Sequence, residues 1–74
     1  MNDTLLLKDS DVAALLNISR AMFWKMVADG RFGPMALSMG RSKRWRRSDV
    51  ELYVRWGLPE RAVFVQRLES EATG

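Results

Sequence analysis

The sequence predicts a mostly α-helical fold carrying one small β-hairpin, and three stretches support that prediction. Residues 9–29 form two short amphipathic segments separated by the turn Asn17-Ile18-Ser19. Residues 30–34 contain two glycines and a proline, which break helical structure ahead of two short strand-like runs. Residues 48–71 return to helical periodicity, interrupted at Gly57 and Pro59. Three to four helices and a two-stranded hairpin follow.

With 74 residues, the expectation is one small domain over 1–74, with its core in 5–56 and a C-terminal helix at about 59–71. There are no cysteines and no histidines, which excludes disulfides and thiolate sites and argues against zinc. The same absence removes the commonest nucleophile–base pairs, so the chain reads as a non-enzyme that needs no cofactor, metal or small-molecule substrate. No apolar run approaches the ~18–20 residues of a membrane span, and no basic-then-apolar leader opens the chain. No membrane partner is expected, and a soluble, cytoplasmic protein is the default.

Taken in order, Met1–Thr4 reads as a frayed start and Leu5-Leu6-Leu7 as a segment tucked against the core. A first helix opens at Lys8 or Asp9, with carboxylates in the first turn where the helix dipole favours them. Its predicted apolar stripe is Val12, Leu15 and Leu16, with small Ala13 alongside, and Asn17 closes it in a left-handed turn. Ser19 caps the second helix and Gly30 stops it. Phe23, Met26 and Val27 face inward at i, i+3, i+4, while Arg20, Ala21, Trp24, Lys25 and Ala28 face outward.

A helix-turn-helix unit makes position-specific demands, and seven residues meet them. Val12 is apolar at mid-helix, Ala13 is small where the helices cross, and Leu16 is apolar at the helix end. Asn17 suits the turn, Ile18 is apolar just after it, and Phe23 and Met26 are apolar on the second helix. A generic helical hairpin shares the periodicity but has no reason to satisfy the turn and small-residue demands together.

Beyond Gly30, Met35-Ala36-Leu37 reads as an edge strand, Ser38–Ser42 as a turn centred on Gly40, and Lys43–Arg46 as the return strand. Period-two alternation sends Trp45 inward and Arg44 and Arg46 outward. Ser48-Asp49-Val50-Glu51 has the pattern of a capping box opening a third helix with Val50, Tyr53 and Val54 as its stripe. Gly57 ends that helix, and Pro59 suits the first position of a fourth, running to about Glu71 on a stripe of Phe64, Val65 and Leu68. That stripe fits packing on its own domain or a dimer surface. Residues 71–74 read as disordered.

Net charge is +3, and its distribution is uneven. Residues 1–40 balance to zero, residues 48–74 carry a net −2, and Arg41, Lys43, Arg44, Arg46 and Arg47 place +5 in seven residues without one acid. Such a cluster next to an outward-facing helix points to phosphate binding. Arg46 and Arg47 alternatively brace the third helix.

Leu5-Leu6-Leu7, then Asp11-Val12-Ala13, Leu15-Leu16-Asn17-Ile18-Ser19, Gly30, Pro34, Gly40-Arg41 and Arg44-Trp45 with Asp49-Val50, resemble the AlpA-like and excisionase-like regulators of phages and prophages. The resemblance covers about residues 5–56. It implies a MerR-like winged helix-turn-helix whose second helix, residues 19–29, enters the major groove. The hairpin, or wing, over 38–47 would lie on the backbone or minor groove. Carried over residue by residue, it implies double-stranded DNA contacts by Ser19, Arg20, Ala21, Trp24 and Lys25 from the helix. From the wing it implies contacts by Arg41, Ser42, Lys43 and Arg44. A homodimer or a cooperative oligomer on DNA is the accompanying expectation. Departures stand at Lys8, where members often carry a threonine cap, at Met22, where they often carry a polar residue, and at Trp24, which is bulkier than usual.

Arg20, at the helix start, is the favoured partner for a guanine, while Trp24 either touches DNA or packs under the wing. The functional expectation is sequence-specific DNA binding by a transcriptional regulator or excisionase. Two alternatives stand beside it. One is the DNA-recognition subunit of a phage packaging terminase; the other is a protein-interaction module anchored by Trp24 and Trp56.

Overall fold

The computed structural model describes residues 4–73. The elements are β1 (Leu6–Leu7), α1 (Asp9–Leu16), α2 (Arg20–Ala28), β2 (Leu37–Met39), β3 (Ser42–Arg46), α3 (Arg47–Arg55) and α4 (Arg61–Thr73). The expected frayed start falls mostly on residues 1–3, outside the described residues, as does Gly74.

Local chemistry explains the helix-turn-helix. Lys8 offers no accepting side chain at the head of α1, but its amide donates to the Asp11 carboxylate at 3.3 Å. Asn17 closes α1 at φ 59°, letting its own amide reach Ala14 O and that of Ile18 reach Ala13 O. Ser19 Oγ accepts from the Met22 amide at 3.0 Å and starts α2. Gly30, at φ +75°, ends it, with the Gly30 and Arg31 amides turning back onto Val27 O and Met26 O.

The sheet is where the expectations need correction. It has three strands in the order β1-β3-β2, all pairs antiparallel, because the tucked leucines form a strand of their own. Leu7 lies opposite Trp45 and is buried, while Leu5 is exposed. The strand expected at Met35–Leu37 instead occupies Leu37–Met39, and the turn shrinks to Gly40-Arg41. Gly40, at φ +64°, lets a two-residue loop pair Met39 with Ser42, which sets the register. Pro34 is fully buried, so the chain before the strand serves the core instead of the sheet edge.

The capping box at Ser48 does not form. β3 runs directly into α3, with Arg46 at the cap, so Ser48 already lies inside the helix. The Arg47 amide donates to Leu5 O at 2.9 Å, and Glu51 pairs instead with the Arg47 guanidinium at 3.4 Å. α4 begins at Arg61, two residues after Pro59, and runs to Thr73, so the helix replaces the disorder expected over 71–73.

The core gathers Leu7, Val12, Ala13, Phe23, Phe32, Trp45, Val50, Tyr53 and Phe64. Five aromatic contacts tie it together, all edge-to-face, from Phe23–Phe32 at 5.0 Å through Phe32–Tyr53 at 4.8 Å to Tyr53–Phe64 at 6.4 Å. Phe64 is fully buried and Leu68 packs on the core, so α4 uses its stripe on its own domain. Leu15, expected on the inner stripe of α1, is 53% exposed. The buried row is Val12, Ala13 and, in part, Leu16, the residues of α1 that join the core with Phe23 of α2. Among the described residues no helix is long and apolar enough to cross a membrane.

Candidate nucleic-acid interface

α2 has two distinct faces. Phe23 is fully buried and Met26 and Val27 pack on the core, while Ser19, Arg20, Ala21, Lys25 and Ala28 are exposed. Trp24 takes an intermediate course. Its ring meets Phe23 at 5.4 Å and Trp45 at 5.7 Å, both edge-to-face, yet 39% of the residue is open to solvent. It therefore packs against the base of the wing and still presents a surface.

The wing stands beside it. Arg41, Ser42 and Lys43 are exposed at and after the Gly40 turn, and Arg44 is half-buried, its Nη1 donating to Lys43 O at 2.9 Å. Trp24, Arg41, Ser42, Lys43 and Arg44 line one open cleft, joined there by Lys8 and Asp9 from the head of α1. Five of the nine residues expected at the interface thus meet in a single depression. Ser19, Arg20, Ala21 and Lys25 do not line it and stand on the exposed side of α2.

The basic run divides at the start of α3. Arg46 Nη1 lies 3.6 Å from the carboxylate of Asp49, which is nearly buried, and Arg47 pairs with Glu51. These two arginines brace α3, while Arg41, Lys43 and Arg44 belong to the wing.

Asp9 is the feature that sequence reasoning missed. It was legible as a first-turn carboxylate, but Oδ2 also accepts from Arg20 Nη2 at 2.9 Å, Arg20 Nε at 3.3 Å and Trp24 Nε1 at 2.9 Å. Oδ1 accepts from the Ser10 amide at 2.7 Å. The Trp24 hydrogen bond, then that of Arg20, holds the Asp9 carboxyl below its ordinary range against a smaller opposing effect of burial. No local spacing announces a partnership between residues 11 and 15 positions apart. Tyr53, whose hydroxyl donates to Arg31 O at 3.2 Å, is pushed up by burial and serves the core.

Elsewhere, Leu15, Met22, Val54 and Leu58 form an exposed apolar groove between the end of α1, α2 and the end of α3. Trp56 is occupied within the chain, against Phe64 at 5.3 Å and under Arg67 at 4.4 Å. Among the described residues no group of His, Cys, Asp or Glu has the arrangement of a metal site.

Two packed helices around a tight turn, with a hairpin set against the second through Trp24 and Trp45, have the layout of a winged helix-turn-helix, a small DNA-binding fold. The chain belongs to the helix-turn-helix domain family, whose model matches residues 6–55, two thirds of the chain, from β1 to the end of α3. Neither curated proteins nor solved structures provide a match. α4 lies outside the matched span.

Proposed function

We propose that this chain is a sequence-specific double-stranded DNA-binding regulator of the phage or prophage type, acting in transcription or in excisive recombination. The observation that carries the reading is the shared cleft: the exposed edge of Trp24 on α2 and the wing cations Arg41, Lys43 and Arg44 border one concave surface. A duplex seated there has α2 in its major groove, with Ser19, Arg20, Ala21 and Lys25 toward base edges and the adjoining backbone. Arg41, Ser42, Lys43 and Arg44 then grip the neighbouring phosphates or minor groove, with Lys8 beside them.

Two kinds of contact follow from this division. Wing cations release counterions and supply affinity without regard to sequence, whereas Arg20 reads a base. Because one module buries limited surface on DNA, a homodimer or cooperative oligomer is part of the proposal.

The test is fluorescence anisotropy against duplex DNA over a salt series, followed by site selection from random duplexes. Affinity falling linearly on a log–log salt plot, with a recovered motif, supports the reading. Binding indifferent to salt counts against it. A protein-docking role has one observation in its favour, the apolar groove of Leu15, Met22, Val54 and Leu58. An Arg20→Ala, Lys43→Ala variant that keeps its target affinity would favour that role instead.

A further inference from the structure

We infer that Asp9 is a positioning residue that raises sequence discrimination, by presenting the free end of Arg20 to a base pair, while lowering affinity for duplex DNA in general. The inference rests on the DNA-binding reading above and names a determinant of specificity within it.

The guanidinium of Arg20 has two edges from which it can donate paired N–H groups. Asp9 Oδ2 occupies the edge formed by Nε, at 3.3 Å, and Nη2, at 2.9 Å. The end formed by Nη1 and Nη2 is left over, and the Arg20 side chain remains 66% exposed. Two parallel N–H groups at that end match the O6 and N7 acceptors of guanine in the major groove. A flexible arginine loses rotamer freedom on binding; one already held against a carboxylate loses less.

The same oxygen accepts from Trp24 Nε1 at 2.9 Å. Arg20 and Trp24 are one turn apart on α2, so a single carboxylate on α1 fixes two successive side chains of the outward row. Trp24 in turn rests on Trp45 in β3, which places α1, α2 and the wing in one linked arrangement.

Charge works in the opposite sense. Asp9 lines the cleft together with Lys8, Arg41, Lys43 and Arg44, where phosphates would pass. A negative charge there repels every duplex, whatever its sequence. Geometry and charge at this residue therefore act with opposite sign on specific and on general binding.

The experiment compares the wild-type chain with Asp9→Asn, Arg20→Ala and the double variant, each against the duplex selected by the wild type and a scrambled duplex. Asp9→Asn is expected to bind the scrambled duplex several-fold more tightly. Its selected-to-scrambled affinity ratio should fall about tenfold, within the range of one bidentate base contact. In the Arg20→Ala background, Asp9→Asn should lower the ratio no further, a non-additivity that general loosening of the fold would not produce. An unchanged ratio in Asp9→Asn, or the same fall with and without Arg20, overturns the inference while leaving DNA binding intact. If the wild type selects no duplex at all, the DNA-binding reading fails first, and it fails before any variant is made.

Discussion

Trp24 of α2 and Trp45 of β3 meet edge to face, ring centroids 5.7 Å apart and planes at 66°. One ring is 1% exposed and the other 39%, so this contact joins the sealed core to the open cleft. A two-stranded hairpin is marginal alone in water. Here the wing is held because Trp45, between the outward side chains of β3, is buried against Phe23 and opposite Leu7.

Removing that anchor should therefore cost more than the wing. Trp45→Ala is expected to destabilise the domain by about 3–5 kcal/mol, the usual range for a fully buried large aromatic. A single core in a domain of this size rarely supplies more than about 3–5 kcal/mol, so much of the population should unfold. Urea denaturation followed by circular dichroism measures it. A loss below about 1 kcal/mol would show that the hairpin is held by something other than this ring.

Gly33 makes a separate prediction about α4. A Cβ built there would stand 2.6 Å from the Phe64 Cβ and 2.9 Å from Pro59 O. Neither is the loose end of a flexible chain. Gly33→Ala should push α4 from its seat and destabilise by about 1–3 kcal/mol, an overpacking cost. Phe64→Ala removes the Cγ that stands 2.8 Å away but keeps the Cβ, so the double variant should lose somewhat less than the sum of the two single losses. Thermal melts of the two single variants and the double variant decide the point.

These contacts also show which parts of the molecule the sequence could reveal. Ser19 and Gly30 were legible because a cap and a left-handed stop act within four or five residues, and Asn17 for the same reason. Two-faced α2 followed from spacing alone. β1 was not legible as a strand, since it has two residues and exists only through pairing with β3, some forty positions away. Ser48 carried the right signal for a cap, but Leu5 O accepts the Arg47 amide and the helix starts one residue before Ser48. Leu15 shows the limit of periodicity, because which flank of α1 is buried depends on where α2 crosses it. The candidate site was half visible: residue types placed α2 and the wing, whereas the carboxylate that ties α1 to α2 came from tertiary geometry.

The split of the basic run predicts different salt responses from neighbouring cations. Lys43 is exposed in the cleft, whereas Arg47 is paired with Glu51 at 3.4 Å. Lys43→Ala should flatten the log–log salt slope of DNA binding by about 0.9, one phosphate's worth of counterions. Arg47→Ala should leave the slope where it was. Equal slopes for the two variants would mean that the basic run acts as a diffuse charge, without wing-specific contacts.

The carboxylate of Asp9 also gives the fold a pH dependence whose sign is set. Its hydrogen bonds to Trp24 and Arg20 lower the folded-state pKa below the ordinary 3.8. A group with a depressed folded pKa contributes stability that is fully present above the unfolded value. That stability is lost as pH falls through the folded one. Wild type should therefore melt at higher temperature than Asp9→Asn near neutral pH, and the gap should close as acid is added beyond pH 3.8. Arg20→Ala should narrow the gap without abolishing it, because Trp24 Nε1 still donates at 2.9 Å. Melting temperatures of four proteins across a pH series test this: wild type, the two single variants and the double variant. A gap that persists unchanged into acid would mean that the ionised carboxylate contributes nothing to stability, and that Asp9 joins α1 to α2 by shape alone.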